Sequence, residues 1–275
     1  MLKLLTLNTH SLEESEMDKK QKIFADTVSE LLPDVIALQE VNQSQEADLL
    51  MSVEKNGINP SSIPFRKDNH AAAVAKKLAE NGTPYHWIWM PIKTGYGCYD
   101  EGLAFFSRKP ILETEVIQVS DIDDYQDADT RKILGIRTED GWFYSIHLSW
   151  WTDSKEPFEK QFKRLNEKLK GRKNVYLMGD FNGDSSVRNE SYDLVARSGW
   201  SDSYALAQNR DEGWTVVGAI DGWRDQISEH KKRIDQIWIR DGKRVSESQV
   251  IFNGRNRPVI SDHFGVLTEI EPVSV

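Results

Sequence analysis

The chain has a single cysteine, Cys98, among its 275 residues. That excludes an internal disulfide framework and suits a reducing compartment. No apolar run approaches the roughly 20 residues that span a bilayer as a helix. The opening stretch Met1-Leu2-Lys3-Leu4-Leu5-Thr6-Leu7-Asn8 turns polar too soon for a secretory signal. Positive charge is scarce: 35 Lys and Arg stand against 44 Asp and Glu, a net charge of -9. Sequence-blind clinging to nucleic acid, which runs on Lys and Arg against phosphates, is therefore disfavoured. A local basic groove remains compatible with that total. There is no proline-rich linker, low-complexity tract, internal repeat or composition shift, so the chain reads as one domain over residues 1–275. A cytoplasmic protein without membrane contacts is the expectation.

What the chain does have is a series of apolar runs that stop at polar residues. In Val175-Tyr176-Leu177-Met178-Gly179-Asp180-Phe181-Asn182 a buried strand ends in a carboxylate and a carboxamide separated by one aromatic. Strand alternation would put Asp180 and Asn182 on one side and Phe181 in the core. Gly, Asp and Asn are also turn residues, so the same four residues admit a turn. Leu2 to Leu7 reads as a strand ending at Asn8, and Asp34 to Val41 as one whose apolar run ends at Glu40. Between them, the spacing of Ile23, Phe24, Val28, Leu31 and Leu32 predicts a helix over 19–32, stopped by Pro33.

Residues 42–68 read as a long polar loop, and Asn69 to Leu78 as a short helix. Strands follow over 85–90, over 101–108 with Glu101 at its mouth, and over 111–119. Residues 121–129 hold five Asp but lack the glycine and terminal glutamate of a calcium loop, so a solvated face is expected. Two strands flank a Glu139-Asp140-Gly141 hairpin turn, and the second ends at His147. An amphipathic helix over 158–169 precedes the Gly-Asp-Phe-Asn strand. A second helix covers 190–198, and 200–230 is irregular and rich in Trp, Asp and Gly. Strands over 233–239 and 245–252 carry Asp235 and then Ile251, and Ser261-Asp262-His263 opens the last one. Strands in two batches, each interrupted by a helix, favour two packed sheets with helices outside.

Asn8, Glu40, Glu101, His147, Asp180, Asn182, Asp235, Asp262 and His263 all fall at or beside expected strand ends. Oxygen ligands of the Glu and Asn type suit Mg²⁺ or Mn²⁺, which keep several waters and also take substrate phosphate. Cys and paired-His spacing for structural zinc is missing. Two histidines with acids to orient them suit proton transfer. Together these indicate metal-assisted hydrolysis of a phosphate ester.

The ordered set Leu-Asn, Leu-Gln-Glu, Glu-x₆-Arg, Ser-x-His-Leu, Gly-Asp-Phe-Asn, Arg-Ile-Asp and Ser-Asp-His runs from Asn8 to His263. It resembles the endonuclease/exonuclease/phosphatase superfamily. The resemblance implies an α/β fold of the DNase I type, a four-layered αββα sandwich of two packed mixed sheets with the site at one edge. It implies that Glu40 is the main metal ligand with Asn8 near it, and that Asp262 binds the metal directly or through water. His263 would contact or activate the phosphate, with Asp235 holding its ring. His147 would donate to the phosphate with Glu101 as its orienting acid, and Asp180 and Asn182 would position or deprotonate water. Asp180 and His263 both remain open as the base. Where several members carry an acid after the first asparagine, this chain has His10, which leaves a second metal position open.

Leu-Asn-Thr-His-Ser, Gln-Glu-Val-Asn-Gln, Gly-Tyr-x-x-Tyr-Asp-Glu-Gly, His-Leu-Ser-Trp-Trp and Ile-Asp-Gly-Trp-Arg are similar to a bacterial subgroup that includes maltose 6'-phosphate phosphatases. A Mg²⁺-dependent phosphomonoesterase acting on a small phosphorylated sugar is the reading this favours. Tyr96, Tyr99, Trp150, Trp151, Trp214 and Trp223 stand in or beside loops at the expected site edge, where aromatic faces would line a small-ligand pocket. Tyr99, Trp150, Trp151, Trp223 and Arg224 are the expected substrate contacts, with Asp100 or Asp221 as further partners for hydroxyls. The alternative is a nuclease using Lys76-Lys77, Lys231-Lys232-Arg233 and Arg255/Arg257 as a groove. A non-catalytic module is disfavoured because every catalytic-type position is filled.

Overall fold

The apolar runs form strands, and each face of each sheet is closed by side chains of the expected period. The computed structural model describes residues 1–53, 57–220 and 231–271. The first half runs β1 (Leu2–Asn8), α1 (Met17–Leu31), β2 (Val35–Ser44), β3 (Gly57–Ile58), α2 (His70–Glu80), β4 (His86–Gly95), β5 (Tyr99–Ser107) and β6 (Glu113–Gln118). The second half begins with β7 (Lys132–Thr138), β8 (Gly141–His147), α3 (Phe158–Lys168), β9 (Val175–Asp180), α4 (Ser191–Arg197), β10 (Ser201–Asp202) and α5 (Ser203–Leu206). It ends with β11 (Asn209–Arg210), β12 (Val216–Val217), β13 (Lys231–Lys232), β14 (Asp235–Ile239), β15 (Val245–Ile251) and β16 (Gly265–Ile270).

One sheet has the order β11-β15-β16-β1-β2-β5-β4-β3 and the other β10-β14-β9-β8-β7-β6. Both are mixed: β1 runs parallel to β2 and β8 parallel to β9, while β2–β5 and β9–β14 are antiparallel. Leu4, Ala37, Phe105, Leu134, Phe143, Met178 and Ile237 fill the space between the sheets. The outer face of the first sheet packs on Phe24, Val28, Val74 and Leu78 of α1 and α2. That of the second packs on Phe158, Phe162 and Leu165 of α3. The result is the expected αββα order of layers. Polar contacts cross the inner layer below the site: Gln39 Nε2 donates to Ser145 Oγ at 2.9 Å, and Ser145 Oγ donates to the Leu38 carbonyl at 3.2 Å.

The boundaries differ from the sequence reading where tertiary pairing extends an element. β2 runs three residues past Val41 because Asn42, Gln43 and Ser44 pair with Glu101, Asp100 and Tyr99. For the same reason β5 begins at Tyr99, so Glu101 lies inside a strand rather than at its mouth. Asn69 caps α2, its side chain accepting from the Ala72 N–H at 2.9 Å. Among the described residues no helix is long and apolar enough to cross a membrane.

Two features of this frame have measurable consequences. Gly179 in β9 has φ 149°, and a Cβ there would lie 2.1 Å from the Ile146 carbonyl oxygen of β8. Gly179→Ala therefore meets both an unfavourable backbone conformation and main chain that cannot yield. It should cost about 2 kcal/mol or more, read as a fall in Tm of about 4 °C or more. His70 starts α2, buried against Gln21 of α1 at 3.3 Å. Burial pushes its imidazole from the ordinary 6.5 down to about 4, since the cation would lose its water. The unfolded chain thus takes up the proton first as pH falls. The stability from neutral His70 is complete above 6.5 and is lost between 6.5 and about 4. Urea unfolding should show wild type losing about 3 kcal/mol more than His70→Gln across that window.

Candidate active site

Strand register lines up three functional side chains across the second sheet. His147, the last residue of β8, pairs with Asp180, the last of β9, and Asp180 pairs with Asp235, the first of β14. Asp180 is thus flanked on both sides. Asn182 reaches the same side as Asp180, but by a turn rather than by the pleat. Its backbone has φ 46°, and its N–H donates to Asp180 Oδ1 at 2.7 Å. Its side-chain Nδ2 donates to the Leu148 carbonyl at 2.9 Å. Phe181 goes into the core under the sheet, as alternation requires.

The first sheet supplies Asn8, Glu40 and Glu101. Glu40 sits at a bulge in β2, where the pairing with β5 shifts between Leu38 and Val41, and its φ is 51°. A non-glycine residue in this region is uncommon, and here it accompanies the bulge. Asn8 Nδ2 donates to Glu40 Oε1 at 2.7 Å and to Asp180 Oδ2 at 3.2 Å, while its own Oδ1 accepts from the His10 N–H at 3.1 Å.

Burial and then the nearby charge of Glu101 push the Glu40 carboxyl above its usual range. Burial and the neighbouring Asp235 carboxylate push Asp180 up to about 7. The two histidines move in opposite directions. Burial together with the cations Arg131 and Lys93 holds His147 well below the usual imidazole value. Burial would lower His263 too, but its Nδ1 lies 2.9 and 3.1 Å from the two oxygens of Asp235. The charge and hydrogen bond of Asp235, with Asp180 and Asp262 nearby, instead hold His263 well above the usual value.

These side chains open onto a cavity of about 430 Å³ lined by Glu40, Glu101, Asp180, Asn182, His147 and His263. Its walls include Tyr96 and Trp150. Two buried cations that the sequence reading missed complete it. Lys93 Nζ donates to the Ala128 carbonyl at 2.6 Å and lies 3.6 Å from Glu101, and Arg131 also lines the cavity. A lysine inside an otherwise apolar strand was the available signal for Lys93. Arg131 stands just past the Asp-rich loop, and that loop is more than a solvated face: Ala128 at its end forms part of the wall.

Several expected roles are not met by the contacts. Glu101 faces Lys93 rather than His147, whose nearest carboxylates are Glu40 at 3.7 Å and Asp180 at 4.0 Å. Asn8 stands beside Glu40 as a hydrogen-bond donor, and its oxygen accepts from the His10 N–H. Asp262 lies beside Glu14 and 3.7 Å from His10 Nδ1, and its charge also raises the Glu40 carboxyl. Trp151 turns away from the cavity and packs against Phe158, ring centroids 6.2 Å apart. Tyr99 meets Tyr96 edge-on at 6.1 Å, and it is Tyr96 that lines the cavity. Asp100 is consumed by Gln43 and Tyr125, each at 2.9 Å. Trp214 lines a different cavity. Trp223, Arg224 and Asp221 lie outside the described residues.

The donor chemistry fits a hard cation at Glu40. Ligand-type atoms of Glu40, His147 and Asp180 lie within 4.8 Å of one another. The half-buried Glu40 and buried Asp180 carboxylates repel at that separation, and a divalent ion would relieve them. The group of Asp180, Asp235 and His263 is already charge-compensated by the Asp235–His263 pair.

The profile of the Endonuclease/Exonuclease/phosphatase family matches residues 5–263. None of the curated proteins compared matches the chain. Among solved structures, an endonuclease/exonuclease/phosphatase family protein from Leptotrichia buccalis C-1013-b is 30% identical with a TM-score of 0.86, over 99% of this chain and 100% of that one. A mannosyl-6-phosphatase from Bacteroides thetaiotaomicron VPI-5482 is 19% identical with a TM-score of 0.64, over 99% and 100%. A 3' phosphatase from Neisseria bound to product DNA hairpin is 16% identical with a TM-score of 0.66, over 99% and 100%. The last two share the fold, and one is named for a sugar phosphate while the other holds DNA. Because the profile takes in the whole site from Asn8 to His263, the chain belongs to the Endonuclease/Exonuclease/phosphatase family, whose members are metal-dependent hydrolases of phosphoesters.

Proposed function

We propose that this protein is a Mg²⁺-dependent phosphomonoesterase that releases phosphate from a small phosphorylated sugar of the maltose 6'-phosphate type. The observation that carries the reading is the cavity: about 430 Å³, with Tyr96 and Trp150 as walls and Lys93, Arg131 and His263 set against Glu40, Glu101 and Asp180. That is the size and make-up of a small-molecule pocket. Most of the residues that would form a nucleic-acid groove stand beside carboxylates. Lys77 pairs with Asp18, Arg257 with Glu30, and both Lys231 and Arg255 with Glu212. Arg233 is buried on Asp202 at 2.7 Å.

In this reading Glu40 holds the Mg²⁺, which when bound neutralises charge on the phosphoryl oxygens. Asp180 is the base for the attacking water. Its pKa of about 7 is matched to that task, and its two oxygens are oriented by the Asn182 N–H and by Asn8. His263 is the wrong partner for accepting a proton, because Asp235 keeps it charged. With Nδ1 held by Asp235, its Nε2–H serves as a donor to a phosphoryl oxygen. His147 remains neutral and supplies a hydrogen bond without adding charge. Lys93 and Arg131 balance the phosphate dianion, the P–O bond to the sugar breaks as the water oxygen bonds to phosphorus, and the proton taken by Asp180 is returned through solvent to the departing sugar oxygen, giving inorganic phosphate and the free hydroxyl.

The deciding experiment measures inorganic phosphate release with Mg²⁺ across sugar phosphates including maltose 6'-phosphate, alongside plasmid nicking. Phosphate release without nicking is expected, and nicking without phosphate release would overturn the proposal in favour of a nuclease. Glu40→Ala and His263→Ala should each lower kcat by about 10³ or more, with unchanged far-UV circular dichroism. Turnover retained in both variants would refute the assignment of the site.

A further inference from the structure

A second cavity, of about 460 Å³, shares no lining residue with the first. The two are neighbours along the chain, since His263 lines the first and Phe264 the second. Trp214 and Phe264 give it two half-buried aromatic rings. One wall is held rigidly by the backbone. Asp211 accepts from the Gly213 N–H at 2.9 Å and from the Val250 N–H at 2.7 Å. Asn253 accepts from the N–H groups of Arg255 and Asn256 at 3.0 and 3.3 Å, and Asn253 and Asn256 both donate to the Val250 carbonyl.

The charge of the lining cancels. Asp211 and Glu212 stand against Lys231 and Arg255, and both cations lie 3.6 Å from the same Glu212 oxygen. A charged ligand gains no net attraction there, which separates this cavity from the one with Lys93 and Arg131. What remains is aromatic surface, the amides of Gln249 and Asn256, and one exposed carboxylate, arranged on a pre-organised frame. Ring faces that take C–H surface, together with fixed donors and acceptors at their rim, match a neutral polyhydroxylated ring. We propose that this cavity binds a neutral saccharide, with a pyranose face on Trp214 and hydroxyls on Glu212, Gln249 and Asn256. Its position is not incidental to the rest of the molecule. Thr215, next to Trp214, accepts from the N–H groups of Ile234 and Asp235 at 3.1 Å each, and its carbonyl accepts from the Phe264 N–H at 2.7 Å. The saccharide would rest on the strap that holds the Asp235–His263 pair.

The test is isothermal titration of the full chain with glucose, maltose and trehalose, with no phosphate ester present; maltose is also the product of the proposed reaction, so the variants of the two cavities decide which one holds the sugar. Saturable binding of at least one of these is expected, with Kd on the order of 1 mM. Trp214→Ala and Gln249→Ala should weaken it about tenfold or more, with Glu212→Gln as a milder third variant should Trp214→Ala fail to fold. Trp150→Ala, in the other cavity, should leave it unchanged. No saturable binding to any of the three sugars would overturn the proposal. So would binding lost in Trp150→Ala but kept in Trp214→Ala, which would put the sugar in the first cavity.

Discussion

One carboxamide holds the reactive end of the molecule together. Asn8 stands at the end of β1 in the first sheet and donates both to Glu40 of that sheet and to Asp180 of the second. The half-buried Glu40 and the buried Asp180, one on each sheet, are thus tied through a single donor. An aspartate at position 8 would add a third negative charge to the cluster, and an apolar residue would leave Glu40 Oε1 and Asp180 Oδ2 without the donor they share, at a cost of roughly 1 kcal/mol or more. Asn8 itself is fixed by the His10 N–H, and His10 in turn adopts a left-handed backbone with φ 48°. A strained turn thus stands behind the alignment of the site.

Around that link, chemically identical residues take opposite states because of what touches them. His147 and His263 are both buried, so burial alone would make both neutral. His263 has Asp235 against its ring and stays cationic, while His147 has Arg131 and Lys93 nearby and stays neutral. Asp180 lies between them in the strand register. Its carboxyl is raised to about 7 by burial and by the Asp235 carboxylate. Pairs of like groups whose environments drive their pKa values apart are the signature of divided acid and base roles.

The fold and the strand-end residues were legible because their signals are local. An apolar run that stops at Asn8, His147 or Asp180 announces both the strand and what it presents. Contacts set by register were not legible. Glu101 meets Lys93 because β4 and β5 pair with a shift between Pro91 and Lys93, which no pattern within either strand reveals. Trp150 and Trp151 are adjacent in a turn, where no period decides which ring faces the cavity and which packs on Phe158. Gly-Asp-x-Asn was readable as strand or turn, and both descriptions apply: the strand ends at Asp180 and the turn delivers Asn182.

The distribution of charge then constrains which phosphates can approach. The net charge is -9, and Lys77, Arg257, Lys231 and Arg255 each stand beside a carboxylate, which lowers the pull of these positions on a polyanion. At physiological salt exposed charges are screened beyond about 8 Å, so a single phosphate group feels mainly the cavity it enters. There it meets Lys93, Arg131 and His263, all buried and weakly screened. A long nucleic acid would have to lay many further phosphates on acidic surface, forgoing the counterion release that normally drives such binding. The same fold carries proteins named for sugar phosphate and for DNA, and under the proposed function the choice between them rests on where positive charge faces the cavity.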